Sequence, residues 1–301
     1  MAGFTEADVF DQSGKCFIVT GANTGIGFEV ARVLAVRRAR VLLACRDKAK
    51  AEAAVARLGR LAPEADVAFL PLDQADLASV HVAAELAAKE PRLDALINNA
   101  GVMRPPLTRT RQGFELQFGV NHLGCFALTA LLLPQLAKTA GARIVVTASI
   151  AHRRGRIAWD DLNAEKSYDR SQRYADSKLA NMLFFFELDR RLRAAGSPLT
   201  VVGCHPGIAA TDLGRHLGPL QLLFPLVGMT LNTAAMGAWP TLQAATATVT
   251  PGGYYGPIGL GDMRGPSGPA SRTRQAADRE LARRLWDVSV SMTGTDPGLP
   301  P

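Results

Sequence analysis

Aromatic residues are scarce in this chain of 301 residues, 6% against 48% hydrophobic residues overall. That composition suits one large soluble domain with a sizeable aliphatic core. Cysteine is equally sparse: Cys16, Cys45, Cys125 and Cys204 stand apart in apolar surroundings, which excludes a disulfide framework or a zinc site and reads as four core residues. His122, His152, His205 and His216 follow no metal-ligand spacing, so no metal is expected and these rings read as structural or exposed. No apolar run reaches the length of a membrane span, and "MAGFTEADVF" carries acids where a secretion signal carries bases. A cytoplasmic protein without a transmembrane segment is expected. The longest nearly uncharged stretch, "LGPLQLLFPLVGMTL" (217–231), is broken by prolines and glycines and reads as a mobile apolar flap, with dipping into a membrane as the alternative. The net charge of +7 comes mainly from scattered arginines, with no basic block interleaved with aromatics. A nucleic-acid partner is therefore not expected, although the charge helps to attract a phosphate-bearing cofactor.

What the chain does contain is a regular alternation. Short apolar runs at 15–20, 40–45, 67–72, 95–100, 143–149, 199–206 and 252–257 read as strands, and the segments between most of them repeat apolar residues at helical spacing. Strands apolar on both faces, each followed by a helix, imply an α/β fold of Rossmann type: a doubly wound parallel sheet of about seven strands with helices on both faces. There is no internal repeat and no linker, so residues 1–301 read as one dinucleotide-binding and catalytic domain. Its core is expected over about 12–290, a substrate-loop region over 208–240 and a flexible tail over 294–301. In such sheets ligands bind at the carboxyl ends of the strands.

The first strand runs into "TGANTGIG" (20–27). Gly21 can turn the chain there, while Gly25 and Gly27 let backbone N–H groups of the turn approach a pyrophosphate at a helix N-terminus, with Asn23, Thr24 and Ile26 between them. This TGxxxGxG spacing resembles the short-chain dehydrogenase/reductase family, and the family's further motifs follow in order. "NNAG" (98–101) follows the fourth strand, Asn121 lies in "GVNHLG", Ser149 closes the fifth strand, Tyr174 and Lys178 form YxxxK, and "HPGIAATDL" (205–213) follows the sixth. The resemblance covers roughly 12–290 and is strongest to the retinol-dehydrogenase-like branch, through "LLACRD" (42–47), "FGVNHLGCFALTALLLP" (118–134) and residues 160–188. Relatives of that branch include protochlorophyllide oxidoreductases and the oxidoreductase domain of WW-domain proteins.

The chemistry of "YADSKLAN" (174–181) also stands on its own residues. Carbonyl reduction needs a hydride and a proton, and a tyrosine supplies the proton once its pKa of about 10 is drawn toward neutrality. A shift of three units corresponds to about 4 kcal/mol. Lys178, one turn from Tyr174 on the same helix face, is a cation that favours tyrosinate. Ser149 can hold the substrate oxygen, with Thr147 a weaker rival for that hydroxyl role. The resemblance adds ribose binding by Lys178 and a proton-returning water relay at Asn121. Asp176 departs from the family pattern inside the motif, and at i+2 it should face away from Tyr174.

Signals for the cofactor conflict. Asp47 sits twenty residues after Gly27, where an acid would bind the ribose of NAD. Arg46, after Cys45 at the end of the second strand, suits a 2'-phosphate, so NADP(H) is favoured with NAD(H) the alternative. The resemblance assigns adenine contact to Asp73 with Gln74 beside it, places Asn99, Ala100 and Gly101 along the cofactor, and sets Pro206, Gly207, Ile208 and Thr211 against the nicotinamide carboxamide. It implies an NADP(H)-dependent oxidoreductase interconverting an apolar aldehyde or ketone and its alcohol. Retinoids are suggested, although no stretch here matches the membrane-anchoring N-terminal segment of many retinol dehydrogenases. Alternatives are a dinucleotide-sensing regulator without turnover and, at lower weight, a protochlorophyllide-type reductase. Family members pair through the helices that hold Asn121 and Tyr174, so a homodimer or homotetramer is expected.

Overall fold

The apolar runs become strands close to their expected bounds in a computed structural model that describes residues 3–208 and 232–301. They are β1 (Cys16–Thr20), β2 (Arg40–Cys45), β3 (Val67–Pro71), β4 (Ala95–Asn98), β5 (Arg143–Thr147), β6 (Thr200–Cys204) and β7 (Tyr254–Gly259). One sheet joins them in the order β3-β2-β1-β4-β5-β6-β7, all parallel, and β1 pairs with both β2 and β4. The order in which successive strands are added therefore reverses between β1 and β4, which opens a crevice above their carboxyl ends. An eighth strand, β8 (Arg264–Pro269), lies antiparallel to β7 with Tyr255 opposite Pro269. Its sequence, "RGPSGP", has no aliphatic residue and two prolines, so it gives no strand signal; at a sheet edge prolines are tolerated.

Alternation along the strands builds two cores. Phe17, Val19, Leu43, Ile97 and Val145 pack beneath α1 (Gly25–Val36), α2 (Lys48–Leu61) and α6 (Ala234–Thr246). Ile18, Leu42, Leu96, Ile144 and Val146 pack beneath α3 (Leu77–Ala87), α4 (Leu116–Leu136) and α5 (Arg170–Ala194). Helix α4 is long and apolar enough to cross a membrane, yet 89% of its most apolar window is buried inside the protein, as befits a core helix. Aspartates cap several helices from the residue before the first turn: Asp47 for α2, Asp76 for α3 and Asp169 for α5.

The last helix, α7 (Arg279–Thr293), forms an additional layer over α4 and α5. Trp286 meets Phe126 of α4 edge-on at 5.2 Å and Phe184 of α5 at 6.1 Å, and Arg191 lies 4.5 Å above the indole. Ser289 approaches His122 Nε2 to 2.7 Å. Helix α6 does not stand out in the sequence, because it contains Gly237 and Pro240, whereas α7 carries a clear amphipathic stripe through Ala282, Leu285 and Trp286 that the strand–helix alternation above did not take in. Among the final residues Thr295 is buried, and Leu299 packs on the core with its carbonyl accepting from Arg191 at 3.5 Å. A leucine with an apolar surface in reach is what holds the end of the chain.

Candidate active site

A cleft of about 370 Å³ opens where the sheet switches direction. Its walls include Gly21, Asn23 through Gly27, Arg46, Asp73, Gln74, Asn99 through Gly101, Tyr174, Lys178 and Pro206, so one cavity brings most of the expected residues together. Asn121 and Ser149 stand in the layer immediately behind this wall, next to Val120 and Ala148 that line it. Thr211 and the 217–231 stretch lie outside the described residues.

The glycine turn is shaped for close approach. Gly21 has φ of 67°, and a Cβ on Gly27 would strike the Gly21 carbonyl. Thr24 precedes α1 but its side chain makes no capping bond, which leaves the first-turn N–H groups facing the cleft. Thr20, which the motif reading passed over, braces the opposite wall. Its hydroxyl accepts from Asn99 N at 3.0 Å and Ala100 N at 2.9 Å, while Asn99 Nδ2 donates to Thr20 O at 2.9 Å. A buried threonine ending β1 was the available signal.

At the end of β2 burial pushes the Cys45 thiol above its usual pKa, so no negative charge is placed there. Asp47 also lines the cleft, where it caps α2, accepting from Lys50 N at 3.0 Å and pairing with Lys50 Nζ at 3.2 Å. That N–H bond holds its carboxyl below the usual range. Arg46 and Lys50 both line the cleft, and Lys50 is a cation the sequence reading did not single out. Asp73 turns the chain by accepting from Ala75 N at 2.9 Å, and Gln74 reaches Val120 O at 3.4 Å.

On the other side, α5 presents Tyr174 half-buried and Lys178 buried. Lys178 Nζ donates to Thr147 O at 3.2 Å and lies 5.8 Å from the centre of the Tyr174 ring. Asn181, one turn further along, donates to the same carbonyl at 3.2 Å. Asn121 occupies a π-type turn, Gly119–Leu123, within α4, an irregularity common at functional sites. Its amide accepts from Val102 N at 2.7 Å and donates to Val102 O at 3.0 Å and Ser177 Oγ at 2.9 Å. A Cβ on Gly101 would lie 3.2 Å from Asn121 Oδ1 and 3.4 Å from Lys178 Nζ, so these groups converge on one point of the wall.

Ser149 Oγ accepts from Ala151 N at 3.2 Å, which leaves its own O–H to donate, and its carbonyl contacts His152 Nδ1 at 2.6 Å. The Thr147 hydroxyl instead faces Cys204 Sγ at 3.7 Å. After β6, Asn232 ties the Pro-Gly loop from outside, donating to Pro206 O at 2.9 Å, while Ile208 N donates to Met263 O at 3.0 Å. Gly207 and Ile208 thereby sit beside the cleft against the β7–β8 hairpin. His122, His152 and His205 are buried, while His216 lies outside the described residues, and burial drives His122 down to about 3 and His205 to about 4.

The family model described as short chain dehydrogenase matches residues 15–221. Retinol dehydrogenase 14 from Mus musculus is 42% identical over 298 residues, covering 93% of this chain and 86% of the relative. Among solved structures, an uncharacterized protein from Mycobacterium Paratuberculosis is 39% identical with a TM-score of 0.83, covering 98% of this chain and 99% of that one. The RhlG/NADP active-site complex of Pseudomonas aeruginosa is 25% identical with a TM-score of 0.63, covering 81% of this chain and 95% of that one.

Proposed function

This chain belongs to the short-chain dehydrogenase family of nicotinamide-dinucleotide oxidoreductases, and on that premise we propose that it interconverts an apolar aldehyde or ketone and its alcohol with NADP(H). The convergence of Tyr174, Lys178 and Asn121 on the wall of a cleft floored by the glycine turn carries this reading.

Bound in the cleft, the nicotinamide supplies or accepts the hydride. Gly21, Asn23 through Gly27 and the open first turn of α1 take the pyrophosphate, and Arg46 with Lys50 takes the 2'-phosphate. Asp73 and Gln74 would border the adenine, Asn99 through Gly101 the central part, and Pro206, with Gly207 and Ile208 after it, the carboxamide end. The Tyr174 hydroxyl donates a proton to the developing alkoxide, and the Lys178 ammonium favours the tyrosinate left behind. Ser149 donates a hydrogen bond to the same oxygen and orients it. Asn121 fixes the backbone at Val102 and keeps a polar route behind Lys178 for proton return.

The relatives named retinol dehydrogenases make long apolar aldehydes the first substrates to try. All four cysteines are free and buried, which supports a reducing, cytoplasmic setting. In place of the homodimer or homotetramer expected from the resemblance we infer a monomer, because α7 lies across α4 and α5. The test is consumption of NADPH and NADH by purified protein over retinal, medium-chain aldehydes, steroids and aromatic ketones. Cofactor binding with no turnover on any of them would favour a dinucleotide sensor instead.

A further inference from the structure

Three features outside the cofactor cleft call for an explanation: the buried rings of His152, His205 and Tyr254, the charged crevice between α5 and α7, and the aspartate inside YADSK. The third is tied to the site by specific bonds. After Ser149 the chain makes a 3-10 turn (Ile150–Arg154) and then runs directly across α5. Contact there is close enough that a Cβ on Gly155 would lie 2.7 Å from Leu179 Cβ. The middle of a helix has no spare backbone donors or acceptors, so a chain pressed against it must have its polar groups met by side chains. Gln172 and Asp176, one helical turn apart with Tyr174 between them in sequence, meet these groups. Gln172 Nε2 donates to Arg154 O at 3.0 Å, Arg156 N donates to Asp176 Oδ1 at 2.8 Å, and Gln172 Nε2 donates to the same oxygen at 2.6 Å.

We propose that Asp176, with Gln172, is a positioning residue: it locks the turn that follows Ser149 onto the helix that carries Tyr174, and so fixes the spacing of the two groups that hold the substrate oxygen. The inference rests on the roles given above to Ser149 and Tyr174. Asp176 is 8% exposed, a burial that costs a carboxylate free energy unless its oxygens are bonded. Its burial is explained by the bonds to the turn. Among the described residues, the cations beside it are Arg173, which is committed to Asp161 at 2.6 Å, and Arg156, whose backbone it holds. Asp176 points away from the Tyr174 hydroxyl, as i+2 spacing requires, and acts through the turn.

The experiment compares the full-length parent with Asp176→Ala, Asp176→Asn, Gln172→Ala and Tyr174→Phe, using NADPH and the best aldehyde of the panel, alongside amide hydrogen exchange over residues 150–157. Asp176→Ala is expected to lower kcat by roughly tenfold to a hundredfold, the effect of misplacing a reacting group by about an ångström. NADPH affinity should stay unchanged, and exchange at 150–157 should speed up. Asp176→Asn keeps an acceptor oxygen and should restore both readouts to near the parent. Should Asp176→Ala fail to fold, Gln172→Ala, on the partly exposed first turn of α5, is expected to lower kcat and loosen the same segment. Parental turnover and parental exchange in the folded alanine variants would overturn the proposal. Turnover surviving in Tyr174→Phe would instead overturn the reading of the active site, while the exchange measurement would still decide whether the clamp exists.

Discussion

The ammonium of Lys178 stands 5.8 Å from the centre of the Tyr174 ring and is anchored to the Thr147 carbonyl at 3.2 Å. A cation fixed in that place stabilises tyrosinate, whatever the substrate. Tyr174→Phe, which keeps the ring and removes the acid, is expected to lower kcat by about a hundredfold to ten-thousandfold, the usual worth of a general acid. Lys178→Met should lower kcat and also move the alkaline limb of the oxidation rate upward in pH, because loss of the cation raises the tyrosine pKa. A pH profile unchanged in Lys178→Met would remove the lysine from this role.

The proposed preference for NADP(H) rests on Arg46 and Lys50, which share a wall of the cleft, and on Asp47, which lines the same wall but is bonded to the N-terminus of α2 and to Lys50. A charge-assisted hydrogen bond to phosphate is worth about 1.5–3 kcal/mol. Arg46→Ala should therefore raise the KM for NADPH by about tenfold to a hundredfold while leaving that for NADH little changed, and Lys50→Ala should act in the same direction. Parent enzyme that turns over NADH better than NADPH would reverse the assignment.

Most of the candidate site was legible in the sequence because its residues are bound to short motifs with fixed places on strands and helices: the glycine turn after β1 and the Tyr174–Lys178 spacing on α5, which line the cleft, and Ser149 after β5, just behind it. Lys50 and Thr20 were not, since each does its work through a contact between elements distant in the chain or across a helical turn. The β8 strand escaped because its glycines and prolines carry no periodicity, whereas the amphipathic stripe of α7, with Asp278 before it and Gly294 after it, was present to be read. The role of Asp176 was half legible: spacing showed where it does not point, and only the packed turn shows what it holds.

Helix α7 also bears on assembly. Trp286 fills the groove between Phe126 and Phe184, and Ser289 bonds His122, so the outer faces of α4 and α5 are already occupied within one chain. The protein is expected to elute and scatter light as a monomer. Trp286→Ala should cost about 3–5 kcal/mol of stability, as expected for a buried indole. A dimer mass in light scattering, cross-linked through α4 and α5, would contradict this packing.

Acid sensitivity follows from the three buried histidines. Burial lowers His122 to about 3 and His205 to about 4, and it lowers His152 as well. In the unfolded chain these rings titrate near about 6.5. Below that pH the unfolded state takes up protons that the folded state refuses, so stability is fully present above about 6.5 and is lost as pH falls toward 4. The loss approaches about 1.4 kcal/mol per pH unit for each ring. Asp176 and Asp189 act in the opposite sense, since burial raises both carboxyls. Thermal melts from pH 8 to 5 should therefore show Tm falling on acidification. His122→Phe should reduce the slope, because the ring sits among Phe118, Phe126 and Phe184 and the Ser289 hydroxyl keeps its bond to Leu285 O at 2.7 Å. A Tm that stays level or rises between pH 7 and 5 would show that these rings are not held neutral by the fold.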